Sequence, residues 1–283
     1  MQMKYITDCL YYKNKPIYST YIYSETSRKG AIVYKGAEIE TTGTFSISQK
    51  ENRLIAGNYN NIVVIDLERA SAPYTIYDNK IINYNHTEYE GTIYSVGLGC
   101  YTEINTKTGD ITWHQYFCNG EKCIHDILSV AVDKQHIYIG CDIGCLSYID
   151  RNTHSVLETH SFSGGITWLC VLSAANGHSY SGLEVGTYMG EYAIISERKI
   201  LLQKSTGSII WRINRVEIEG AVYNVIAQSY DGIGIYTEDL ILIKHIPTTD
   251  LVYTVEIDKD RRKLLGYNYY TGEIQSTDLF NIK

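Results

Sequence analysis

A small residue that closes a strand-like segment recurs about every forty positions along this chain. It falls at Ser19, Gly57, Gly97, Gly140, Gly186, Ser229 and Gly266, with successive gaps of 38, 40, 43, 46, 43 and 37. Around each copy the layout is the same: an alternating strand, a polar turn, a second strand ending in the small residue, a Gly/Asn/Asp turn, then a third strand. Residues 129–150 (SVAVDKQHIYIGCDIGCLSYID) give the clearest copy. There Val130 and Val132 alternate, Asp133-Lys134 turns, Ile137–Gly140 extends, Asp142–Gly144 turns again and Cys145–Ile149 extends. Related copies cover 10–35, 45–66, 91–109, 178–197, 223–239 and 252–278.

Seven units of this length match the spacing of four-stranded WD40-type propeller blades. The expected fold is therefore all-β, a seven-bladed WD40-like β-propeller filling residues 1–283 as one domain. Small residues suit crowded inner strands, and Asn60-Asn61, Asp142-Ile143-Gly144, Asp231-Gly232 and Thr271-Gly272 suit tight hairpins. No segment carries a long apolar period of 3.6, so almost no helix is expected. A pair of sandwiches or a solenoid is the alternative, but sandwiches lack so regular a period and solenoid coils are usually shorter. Strand-like segments at both ends (Lys4–Tyr12 and Ile274–Phe280) suggest that the ring closes by pairing them in one blade, which removes exposed edges. The Trp-Asp that usually ends the third strand is replaced by Ile65-Asp66, Ile149-Asp150 and Ile195-Ser196.

Composition fits this reading. The chain holds 27 Tyr but only 4 Phe, 3 Trp and 3 Pro, and Tyr favours half-buried pleated surface. Lys and Arg number 25 against 32 Asp and Glu, for a net charge of −7. No basic run is present, which leaves no electrostatic footprint for nucleic acid. No apolar run is long enough to span a membrane, and the N-terminus has no apolar core of a secretory signal. The seven Cys, an odd number, read as reduced cytoplasmic thiols. The sequon Asn85-His86-Thr87 is then coincidental.

From Leu183 onward the motifs LEVGTYMGEYAIISER (183–198), GSIIWRI (207–213), VIAQSYDGIGIY (225–236), HIPTTDLVYTVEID (245–258) and LLGYNYYTGEIQSTDLF (264–280) stand in a specific order. TDCLYY (7–12) and STYIYSETSRKGAIVYK (19–35) add an opening strand and first blade. In this order the chain resembles the diphthine methyltransferase family of WD-repeat proteins. The family's Trp-Asp-Thr-Arg string is reduced here to Ser196-Glu197-Arg198. The resemblance implies hydrolysis of the diphthine methyl ester on translation elongation factor 2, with that factor as partner and no cofactor.

Ester hydrolysis needs a nucleophile with a general base, or an activated water, plus donors for the oxyanion. Gly177-His178-Ser179-Tyr180-Ser181-Gly182 is one residue too long for a nucleophile elbow and has no helix after it. His125-Asp126 precedes a blade's first strand. It offers a general base at the channel mouth, or a structural hydrogen bond to a turn carboxylate such as Asp142. His160 and His245 are read as standing similarly before blade strands. Trp211-Arg212 is either a packing anchor or part of a binding face, and Tyr253 is either a core aromatic or a donor at the mouth. The candidate catalytic set is His125, Asp126 and Arg212; the candidate partner-binding set is Trp211, Tyr253 and Trp168. No metal site is expected: Cys118-x4-Cys123, flanked by His114 and His125, and Cys141-x3-Cys145 both lack the paired spacing of a zinc site. Gly97-Leu98-Gly99 lacks the third Gly and the helix of a phosphate loop. The rival to the esterase is a non-catalytic propeller scaffold that binds other proteins.

Overall fold

A computed structural model describes residues 5–13, 15–23, 28–68, 74–118, 120–173, 181–258 and 263–278. It is a seven-bladed β-propeller. Blades 1 to 7 occupy residues 5–41, 44–77, 85–115, 127–161, 166–205, 212–246 and 252–278. The first six are four-stranded, the seventh has three described strands, and every blade is a meander of antiparallel neighbours in chain order. No helix occurs among the described residues. One extra element departs from the repeat: a ribbon of two-residue strands, Phe117–Cys118 with Glu121–Lys122, inserted between blades 3 and 4.

Burial within a blade explains the sequence pattern. Blade 4's middle strands, His136–Cys141 and Cys145–Asp150, are buried on both faces because a blade packs on either side. Such strands read as continuous apolar runs rather than clean alternation. The fourth strands face water, as in Lys199–Ser205 of blade 5. The apolar core is correspondingly divided into seven clusters, one at each blade-to-blade interface. Tyr suits these wedges: its ring fills volume while its hydroxyl finds a partner. Tyr116, fully buried, meets Ser147 Oγ at 2.7 Å, and Tyr192 donates to Glu184 at 2.9 Å.

The small residue of the repeat is dictated by the neighbouring blade. A Cβ on Gly140 would lie 2.5 Å from Ile166 Cγ2, and one on Gly186 would lie 2.5 Å from Ile210 Cγ2, each in the next blade or its entry. The crowding is therefore between adjacent sheets and not in the channel itself. Gly97 departs from the pattern, lying just beyond the second strand of blade 3 (Thr92–Val96) against the Ile82 carbonyl, and so does Ser229. It lies beyond the second strand of blade 6 (Ala221–Ala227) and bridges Val252.

The expected pairing of the two chain ends within one sheet is not found among the described residues. The innermost strand of blade 1, Tyr5–Tyr12, packs instead against that of blade 7, Val252–Asp258. Ile6, Cys9, Leu265 and Tyr267 form the buried part of this closing seam. Fourteen buried residues occupy the interface of blades 3 and 4. At roughly 1.5–3 kcal/mol per large buried side chain, the seam has the smallest apolar contribution among the described residues.

Candidate functional site

All seven blades contribute to one cavity of about 390 Å³ at the channel mouth. It lies where the innermost strands begin. In five blades the first-to-second-strand register slips there, passing over Thr7, Phe45, Leu128, Thr167 and the pair Tyr253-Thr254. A β-bulge bends its strand and re-aims a side chain. Each of those bulged residues lines the cavity. The repeated irregularity thus turns side chains of a β-meander inward to build a site.

The rim is aromatic. Trp211 meets Tyr188 at 4.8 Å and Tyr253 at 4.4 Å between ring centroids, both edge to face. Tyr253 meets Tyr269 at 4.8 Å, and across the mouth Phe45 lies 5.7 Å from Tyr84. Burial, and then the Asp126 carboxylate to which it hydrogen-bonds, push the Tyr84 phenol up to about 12.

The floor is an ion pair. Arg212 Nη1 donates to Asp8 Oδ1 and to Thr254 Oγ1, the latter at 3.4 Å. Asp8 also accepts from Thr254 Oγ1 at 3.2 Å, from its neighbour Cys9 N at 2.8 Å and from Ile47 N at 2.8 Å. Burial opposes the guanidinium charge, but Asp8 and Glu256 outweigh it and hold Arg212 above its usual range. Burial raises the Glu256 carboxyl. The Arg212 guanidinium sits 6.0 Å over the Trp168 ring, whose indole donates to Glu184 at 2.9 Å. Glu184 is almost fully buried and is compensated by Arg215, at 2.9 Å, and Tyr192. The Trp168 ring is therefore fixed from behind.

Of the residues singled out in the sequence, Asp126, Trp168, Trp211, Arg212 and Tyr253 all line this cavity. His125 does not. Its side chain is 43% exposed and lies 3.7 Å from Asp142. His160 and His245 sit inside fourth strands (Val156–Ser161 and Leu242–Ile246) and not ahead of a blade. Gly177–Tyr180 of the near-elbow lie outside the described residues. Sequence reasoning missed Asp8, Ser46 and His86. Ser46 lines the cavity; its Oγ lies 2.9 Å from His86 Nδ1, while His86 Nε2 lies 2.8 Å from Ser48 Oγ. Burial pulls the His86 imidazole down to about 4. A polar residue on an otherwise apolar inner strand was the available signal.

Among the described residues two clusters have metal-ligand chemistry: the thiols of Cys118, Cys141 and Cys145, and Glu103 with His114 and His154. In the second, the imidazoles stack face to face at 4.1 Å, so their in-plane lone pairs do not converge.

Around the mouth, the turn between second and third strands carries an exposed large apolar residue in five successive blades. These are Leu98, Ile143, Met189, Tyr230 and Tyr270, each 48% exposed or more. They share the face on which the cavity opens, since Tyr188 and Tyr269 of the same turns line it.

No family model and no curated protein matches this sequence, so the diphthine methyltransferase resemblance has no support from them. Solved structures do match in fold. The β-propeller domain of Myceliophteria thermophila Cps50 (Swd1) superposes with a TM-score of 0.72 at 11% identity, covering 98% of each chain. The computationally designed Ika8 protein gives 0.63 at 13% identity, covering 98% of this chain and 96% of its own. No described helix is long and apolar enough to cross a membrane. The likeness is one of fold, and this chain is a seven-bladed, WD40-type β-propeller.

Proposed function

We propose that this chain is a non-catalytic interaction propeller whose channel mouth receives a protein partner, with a cationic side chain of that partner entering the aromatic rim. The observation that carries the reading is the crown of exposed Leu98, Ile143, Met189, Tyr230 and Tyr270 around a mouth walled by Trp211, Tyr253 and Tyr188. Contiguous exposed apolar surface with a polar rim marks interaction sites, and Trp and Tyr are the residues that dominate interface energetics. The cationic preference follows from charge. Aromatic faces attract cations, Asp126 stands at the rim, and Arg212 is already neutralised by Asp8.

Ester hydrolysis is the second reading, and one observation favours it: Ser46 Oγ and His86 Nδ1 pair at the wall of the same cavity. His86 lacks a carboxylate partner and is a weak base at about 4. A general base works best with a pKa near the operating pH.

The two readings separate in one experiment. Peptides carrying Lys, Arg or Gln at a central position are titrated against the protein, and a diphthine methyl ester elongation factor is incubated with it and followed by mass. The interaction reading expects Lys and Arg peptides to bind at least about tenfold tighter than Gln peptides, with the difference lost in W211A and D126N, and no loss of methyl. Methyl loss abolished by S46A would establish the hydrolase reading instead.

A further inference from the structure

We infer that Cys118, Cys141 and Cys145 form a binding site for a soft, thiophilic d10 metal cation, held as three thiolates between blade 4 and the short ribbon inserted before it. The three Sγ atoms lie within 4.8 Å of one another, and all three residues are buried. They come from three separate strands: the ribbon strand Phe117–Cys118, the end of His136–Cys141 and the start of Cys145–Asp150. With a metal–sulfur bond of about 2.3 Å, tetrahedral or trigonal coordination sets neighbouring sulfurs roughly 3.8–4.0 Å apart. The observed separations, within 4.8 Å, stand within about 1 Å of that spacing.

The donor set selects the ion class. Thiolate-rich sites favour Cu(I) and Zn(II) over hard cations. The surroundings are apolar, with Tyr94, Val96, Ile127, Ile139 and Ile149 in the same cluster. Two hydroxyls approach Cys145 from outside the triad: Tyr116 at 3.7 Å and Ser147 at 3.9 Å. Hydroxyl donors to a ligating sulfur are the kind of outer contact that orients a metal ligand.

The fold also gives the ion a role. Two paired strands of two residues each have no independent stability, and among the described residues this ribbon is the one element outside the blade repeat. Cys118 is its buried anchor. A thiolate-bound cation would tie the ribbon to blade 4 and stabilise only the folded chain.

The test uses the full chain, reduced with a phosphine and kept free of oxygen. Cd(II) serves as the optical probe through its sulfur-to-metal charge-transfer absorption. Zn(II) and Cu(I) are then compared by competition against chromophoric chelators, which decides between the two biological ions. The expected result is one Cd(II) per chain, a raised melting temperature, and affinity reduced more than about tenfold in each of C118S, C141S and C145S but unchanged in C170S and H114Q. Mass mapping of iodoacetamide alkylation on the wild-type chain covers variants that fail to fold. The metal should protect Cys118, Cys141 and Cys145 together. Absence of stoichiometric binding, protection of other cysteines instead, or binding that survives all three serine variants would overturn the site.

Discussion

Arg212 at the start of blade 6 reaches across Thr254 of blade 7 to donate to Asp8 of blade 1, residues 204 apart in sequence. Asp8 passes the connection on to blade 2 through Ile47 N. This polar link spans the seam between blades 7 and 1, which has the smallest apolar cluster among the described residues and is also crossed by a backbone hydrogen bond from Ile6 N to Tyr269 O at 3.2 Å. Asp8 is 8% exposed at its side chain, so removing its partner strands a buried charge. Replacing Arg212 by Met should cost about 3–5 kcal/mol, and adding Asp8→Asn should restore most of it. Denaturant unfolding of the two single variants and the double variant measures this. Hydrogen exchange should show Tyr5–Tyr12 and Val252–Asp258 opening first in R212M. Additive losses in the cycle would mean that the pair does not couple.

His86 predicts a specific acid sensitivity. Its imidazole sits at about 4 in the folded chain against an ordinary 6.5, because burial disfavours the cation. Between those values the unfolded chain binds the proton and the folded chain does not, so stability rises with pH. The contribution is whole above about pH 6.5 and falls away toward pH 4, amounting to on the order of 3 kcal/mol. H86Q, which can still bond Ser46 and Ser48, should flatten the stability curve over that window. An unchanged slope would show that His86 is not the group responsible.

Gly140 tests why the repeat exists. Its Cβ would meet Ile166 at 2.5 Å and Ser129 Oγ at 2.6 Å. Overpacking of this kind typically costs about 1–3 kcal/mol. G140A should lower the melting temperature in thermal unfolding of the full chain. A neutral G140A would detach the period from blade-to-blade crowding.

These residues also show how far the sequence could be read. Gly57, Gly140, Gly186 and Gly266 announced the blades because a steric conflict with neighbouring side chains recurs at each. The mouth was partly legible: Trp168, Arg212 and Tyr253 lie near the start of innermost strands with Trp211 just ahead of one, and in blades 5 and 7 a bulge at that place turns residues into the cavity. Asp8 was not legible, since a single carboxylate on the first strand carries no periodic signal and its partner lies at the far end of the chain. His86 hid inside a sequon for the same reason: its hydrogen bonds cross to the preceding blade. The thiol triad was obscured because Cys118 joins Cys141 and Cys145 across a blade boundary that sequence spacing does not display.

The chain's three Trp residues give the most direct test of the interaction reading. Trp211 and Trp168 line the mouth, whereas Trp113 is 49% exposed on the outer strand Ile111–Gln115 of blade 3. Nitrogen-15 indole signals of the three can be followed while an Arg- or Lys-containing peptide is added. The Trp211 and Trp168 signals should shift saturably with Trp113 unmoved, and none should shift with the matched Gln peptide. Shifts confined to Trp113, or equal shifts with the Gln peptide, would contradict the interaction reading.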